Sequence, residues 1–158
     1  IYTAWVIKGF TTDSYDIMGI PEICEKYMTD FENNINILPY KYKQKYPPSS
    51  SITIKKYHKP YWLVTRLKLH MEDCDIPTKN VEILEFKYLE KKIIDSFTLI
   101  DIIKDRINKV NKSNNFRQNE IINKWENILK NYNKDISLVK INVICTTGTF
   151  IRNIGNMM

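Results

Sequence analysis

The sequence predicts an α+β domain on three observations. Tyr2 to Phe10 and Ile141 to Cys145 are rich in β-branched and aromatic residues and read as strands. Val81 to Tyr88 alternates charged and apolar residues, the pattern of a sheet with one wet face. Apolar residues at helical spacing recur at Pro21 to Phe31, at Trp62 to Leu69 and twice within residues 90–135. The chain has 158 residues, enough for one domain with a modest core. Its 43% hydrophobic and 12% aromatic content is that of a globular chain.

Charge and cysteine usage narrow the partners. Twenty-four Lys and Arg against eighteen Asp and Glu leave a net charge of +6, which favours an acidic partner, most commonly nucleic acid. Cys24, Cys74 and Cys145 lie far apart with no CxxC pair, so a zinc knuckle is not expected. The odd count, without a signal peptide, leads to the expectation of an intracellular, reducing compartment, with cytoplasm, nucleus and organelle all open. No apolar run approaches the ~20 residues of a membrane span. The chain opens on Ile1 and stops at Met158 inside a helical pattern, so it is expected to be a piece of a longer protein.

Element by element, Tyr2 to Phe10 is a strand with Gly9 at a bulge or at its end. Thr11 to Gly19 is a polar turn in which Thr12, Asp13, Ser14 and Asp16 can bond nearby amides. Pro21 to Phe31 is a helix with proline at its start; Asn33 to Ile37 breaks it. Leu38 to Pro48, basic and aromatic with two terminal prolines, reads as an extended connector. Ser49 to Lys56 is a strand, Trp62 to Leu69 a short helix, and Val81 to Tyr88 a strand. His58 and His70 are isolated and read as surface histidines. Within residues 90–135, Phe97, Ile100, Ile103 and Ile107 fit one helix face. Ile121, Ile122, Trp125, Ile128 and Leu129 fit another, with Asn111 to Asn115 between them. The two helices are expected as a hairpin on the domain surface, its role open between RNA contact, partner docking and a tolerated insertion. After Ile141 to Cys145, the turn Thr146, Thr147, Gly148, Thr149 starts a helix that Thr147 or Thr149 could cap. Arg152 falls in its first turn, a permanently charged bidentate donor suited to a carboxylate or phosphate, or else an ordinary surface arginine.

The segment CTTGTFIRNIG, Cys145 to Gly155, resembles the C-S-x-G-T-Y-I-R-x-L segment of the TruB family of tRNA pseudouridine synthases. Tyr2, Gly9, Thr12, Asp13, Asp16 and Gly19 match the spacing of that family's Y-x-x-x-x-x-x-G-x-x-T-D-T-x-D-x-x-G, with Ser14 in place of the second threonine. Leu38 and Gln44 sit where the family has F-x-G-x-x-x-Q-x-P-P, with Tyr40 for the glycine and the prolines one residue late. Lys55 and Lys59 keep the spacing of the lysines that follow in the family, His58 stands where it has glycine, and its Tyr-Ser-Ala triplet is not found. Arg66 lies near the family's Ala-Arg. Residues 90–135 depart from the shorter members, which have a hairpin-scale link. The resemblance covers Tyr2 to Lys87 and Val139 to Gly155.

That resemblance implies a mixed, mainly antiparallel sheet flanked by helices, one catalytic domain over residues 1–158, and isomerisation of a uridine in the T-loop of tRNA. Tyr2 falls on the tyrosine that stacks on the flipped base and helps deprotonate the intermediate. Arg152 falls on the family's active-site arginine, and Asp16 on the carboxylate that holds it. Thr12, Asp13, Lys41, Lys43, Gln44, Lys45, Lys55 and Lys59 are the expected RNA contacts. The implied partner is the tRNA T-stem-loop, bound by a monomer without metal, cofactor or membrane. The family's catalytic aspartate lies in G-x-L-D-x-x-A-x-G, upstream of the tyrosine strand, and that segment does not occur in these 158 residues. The activity is therefore expected of the longer protein and not of this piece alone. A non-catalytic RNA-binding module fits the same basic surface; a lysine-rich protein-interaction domain draws support only from residues 90–135.

Overall fold

A computed structural model of the chain describes residues 1–24, 40–111, 113 and 116–158. Its architecture is α+β, and every strand pairing among the described residues is antiparallel. Strands β1 (Tyr2–Ile7), β4 (Lys41–Lys45), β7 (Thr78–Ile94) and β8 (Ile136–Cys145) form one sheet in the order β1-β8-β7-β4. Two small ribbons pair β2 (Phe10–Thr12) with β3 (Pro21–Ile23) and β5 (Thr53–Ile54) with β6 (Lys59–Pro60). The α-helices among the described residues are α1 (Tyr61–Arg66), α2 (Ser96–Asn108), α3 (Gln118–Lys130) and α4 (Ile151–Met157).

The sheet separates two cores. Odd-numbered β8 residues Val139, Ile141 and Val143 face Ile154 and Met158 of the last helix, with Ala4, Val6, Phe86 and Tyr88 from the flanking strands. Even-numbered Ile136 and Leu138 face the other way, into a cluster with Leu99, Ile103, Ile107, Ile121, Trp125 and Leu129 of α2 and α3. The period of two along β8 sends alternate side chains to opposite faces and so requires cover on both.

Several sequence expectations need correction. The first turn of the helix expected from Pro21 is the strand β3, paired with Phe10–Thr12. Proline is tolerated there because it opens the strand, where a missing N–H breaks no ladder. The remainder of that expected helix, with the break at Asn33 to Ile37 and Leu38, lies outside the described residues. The extended connector at Leu38 to Pro48 contains β4, paired with Thr78–Glu82 of β7. Ser49 to Lys56 contributes only Thr53–Ile54 to a strand, followed by a 3-10 turn at Lys55–Tyr57. His58 ends that turn at φ 50°, a left-handed conformation that glycine adopts at least cost, and the resembled family has glycine there. Strand β7 runs six residues past the expected end, to Ile94, with bulges near Leu84 and Leu89. The helical pair is no surface addition, because its inner residues make up most of the larger core.

Helix α2 starts at Asp95, whose Oδ1 accepts from Thr98 N at 2.7 Å. That backbone bond, together with weaker local ones, holds the Asp95 carboxyl below the usual carboxylate value. No helix among the described residues is long and apolar enough to cross a membrane.

Candidate functional site

The site gathers at the start of α4. Strand β8 ends at Cys145, and the turn to α4 is built from backbone and hydroxyl bonds. Thr146 N donates to Glu82 O at 2.9 Å, and Thr149 Oγ1 donates to Thr146 O at 2.8 Å. Gly148 takes φ 88°, which glycine enters freely. Neither Thr147 nor Thr149 caps the helix: the cap position is Phe150, without a side-chain cap bond. Gln44 does that work from another strand. Its Oε1 accepts from Phe150 N at 2.9 Å, and its Nε2 donates to Gly148 O at 3.1 Å. Asn153 Nδ2 donates to Lys45 O at 2.7 Å, a second tie between α4 and β4.

Arg152 is fixed between two loops. Its Nη1 donates to Asp16 Oδ2 at 2.8 Å and its Nη2 to the carbonyl of Pro48 at 3.0 Å. Its side chain is 23% exposed, so the ion pair is partly shielded from solvent. The guanidinium lies 5.9 Å from the ring centroid of Phe150. Its Nε is buried and has no acceptor among the described residues. The donors left for a further acceptor are the second N–H groups of Nη1 and Nη2, since Asp16 and Pro48 take one each.

The loop that presents Asp16 is over-determined. Asp16 Oδ1 accepts from Ser14 Oγ at 2.8 Å and Met18 N at 3.0 Å, leaving Oδ2 for the arginine. Thr12 Oγ1 donates to the Asp16 carbonyl at 2.7 Å. Asp13 Oδ1 accepts from Ile20 N at 2.7 Å. A Cβ at Gly19 would fall 2.5 Å from Ser14 Oγ and 2.7 Å from Asp13 Oδ1, so only glycine lets the loop close this tightly. The hydroxyl at position 14 orients Asp16, a use that serine and threonine share.

Tyr2 opens β1 opposite Val143 and is 51% exposed. It is in phase with Ala4 and Val6, and directly opposed residues share a face. Ala4 and Val6 pack in the cluster of Ile151 and Ile154. The Tyr2 ring therefore lies on the sheet face that α4 covers, open to solvent.

The expected RNA contacts divide. Strand alternation turns Lys41, Lys43 and Lys45 outward and Tyr42 and Gln44 inward. Lys41 pairs with Glu82 at 3.4 Å and Lys45 with Asp73. Lys55, in the 3-10 turn, and Lys59, in β6, are exposed. Gln44, 2% exposed, and Thr12, also buried, are corrections: their polar groups are spent on the scaffold and cannot reach a ligand. Asp13 is exposed, but Arg117 Nη1 and Nη2 both donate to its Oδ2 at 3.2 Å. Along the β4–β7 edge a groove of about 530 Å³ is lined by Lys41, Lys43, Asn80 and Thr147 among others. Tyr42, beneath it, has its phenol pushed up by burial and by nearby Cys145.

Sequence reasoning missed Asn153, Arg117 and the Pro48 carbonyl. Asn153 stands next to the singled-out arginine. Arg117 and Asp13 are 104 positions apart, and no local pattern joins them. Comparisons with family models, with curated proteins and with solved structures find no match for this chain.

Proposed function

We propose that this chain is part of an RNA pseudouridine synthase similar to the TruB family, acting on a uridine in the T-loop of tRNA. The observation that carries the proposal is the Arg152–Asp16 pair. Two residues 136 positions apart, singled out from separate motifs, meet at 2.8 Å. The exposed ring of Tyr2 on the sheet face that α4 covers is the second support. The net charge of +6 and the outward lysines of β4 suit a phosphate backbone.

The chemistry is an isomerisation with no net redox change. The uridine is flipped out of its loop, the bond from ribose C1′ to uracil N1 breaks, and a bond from C1′ to C5 forms; C5 loses its proton and N1 gains one. In this reading the family's aspartate, from a segment outside these 158 residues, opens the reaction. Arg152 orients that carboxylate through the second N–H of an Nη group, while Asp16 and Pro48 fix the guanidinium plane. Tyr2 stacks on the uracil and takes part in removing the C5 proton.

The test is Arg152→Ala in the protein expressed from its complete reading frame. Pseudouridine formation, followed as tritium release from C5-tritiated tRNA, should be abolished. Affinity in a filter-binding assay should change no more than about threefold, because Arg152 meets carboxylates and a carbonyl while the outward lysines meet the phosphate backbone. Undiminished turnover overturns the role given to Arg152. Tight RNA binding by the unaltered protein with no tritium release favours the non-catalytic binding module.

A further inference from the structure

We infer that Arg117 is a positioning residue: the α2–α3 helical pair braces the Asp16 loop from the side opposite Arg152. The inference extends the proposed function by giving the long stretch between β7 and β8 a part in the same site.

Three observations converge. Arg117 holds both Nη groups on Asp13 Oδ2 at 3.2 Å, while the other oxygen of Asp13 accepts from Ile20 N at 2.7 Å. Asp13 thus ties the two ends of the loop together and to the start of α3, with Asp16 between them. Met18 and Ile20 pack against the cluster formed by α2 and α3. Phe10, just before the loop, sits 5.6 Å from Trp125 and 5.0 Å from Tyr132, ring centroid to ring centroid. The loop is therefore clamped between the guanidinium of Arg152 and the helical pair.

Arg117 adopts φ 63°, ψ 25° at the cap of α3, a left-handed conformation disfavoured for a residue with a Cβ. No side-chain cap bond accompanies it. A glycine there would suit the backbone better, so the side chain's use is the link to Asp13. The pair is partly exposed, with side chains 33% and 46% accessible, and such pairs add little to global stability. Its effect should appear in the loop's order and not in the melting temperature.

That separation makes the test. Arg117→Gly in the complete protein removes the guanidinium and suits the positive φ, so the melting temperature should not fall. Amide exchange at Met18 and Ile20 should quicken by about tenfold, as local opening of the loop becomes easier. Arg117→Lys should restore slow exchange, since both guanidinium bonds end on one oxygen that an ammonium can also meet. On tRNA, Arg117→Gly should lower kcat by about tenfold with KM within about twofold, the pattern of a misplaced group and not a lost contact. Unchanged exchange at both amides overturns the brace. So does an equal rise in the lysine variant. If exchange responds as stated but the unaltered protein turns over no tRNA, the brace stands and the proposed function falls.

Discussion

The two faces of the sheet are held by different physics. On the α2–α3 side, Leu99, Ile103, Ile107, Ile121, Trp125 and Leu129 are almost completely buried, and apolar packing does the work. On the α4 side, the apolar cluster is smaller and the helix start hangs on polar side chains: Gln44 on Gly148 and Phe150, Asn153 on Lys45, Arg152 on Asp16 and Pro48. Directional bonds fix positions that packing alone leaves adjustable, because a hydrogen bond weakens steeply with misalignment. The face that carries the candidate site is the one whose geometry is set by such bonds. The other face supplies bulk stability and, through Arg117 and Met18, steadies one loop of the first.

Breaking each face should therefore give different losses. Trp125→Ala should cost about 3–5 kcal/mol in denaturant melts, the range for removing a large core aromatic. Gln44→Leu strands Phe150 N and Gly148 O, at about 1–3 kcal/mol for each group left without a partner. The two stability losses should be of the same order, and the Gln44 variant's loss of turnover the larger. If both variants lose turnover only in proportion to stability, the division between the faces is wrong. Tyr2→Phe should leave stability within about 0.5 kcal/mol, as for an exposed substitution, yet lower turnover far more than RNA affinity. Equal losses in both would make Tyr2 a mere contact.

The smallest effect concerns acid stability. Asp95 caps α2 with its carboxyl held below the unfolded value of 3.8. The unfolded chain binds the proton more readily, so this stabilisation is complete above about pH 3.8 and fades as pH falls toward the folded value. Asp95→Asn keeps a capping acceptor but removes the titration. Its melting temperature should fall less steeply than that of the parent below that pH; parallel acid limbs would assign the acid sensitivity elsewhere.

Some of this architecture is legible residue by residue. Ile141 to Cys145 lies within β8, and the inner faces of α2 and α3 follow the helical spacing of Ile103, Ile107, Ile121, Trp125 and Leu129, but Phe97, expected on the first face, is exposed and Leu99 is buried instead. Lys41 to Lys45 alternates in period two, yet beside two prolines it reads as a connector, and only the partner strand β7 makes it a strand. Ile23 and Pro21 fit a helical pattern in isolation, but Phe10–Thr12 offers them a ladder. The loop motif is visible as a run of short polar residues; which oxygen each one bonds is not.

The sequence by itself determined the α+β class, the strand at Ile141 to Cys145, the alternating strand at Val81 to Tyr88 and the amphipathic helix faces within residues 90–135, because periods of two and 3.6 are local properties of the backbone. The resemblance implied that Arg152 meets Asp16; tertiary structure alone decided that Gln44 faces inward to tie the start of α4 and that Arg117 meets Asp13. Such contacts join residues more than a hundred positions apart, and chain closure over that span is specified by the packed whole and by no single segment.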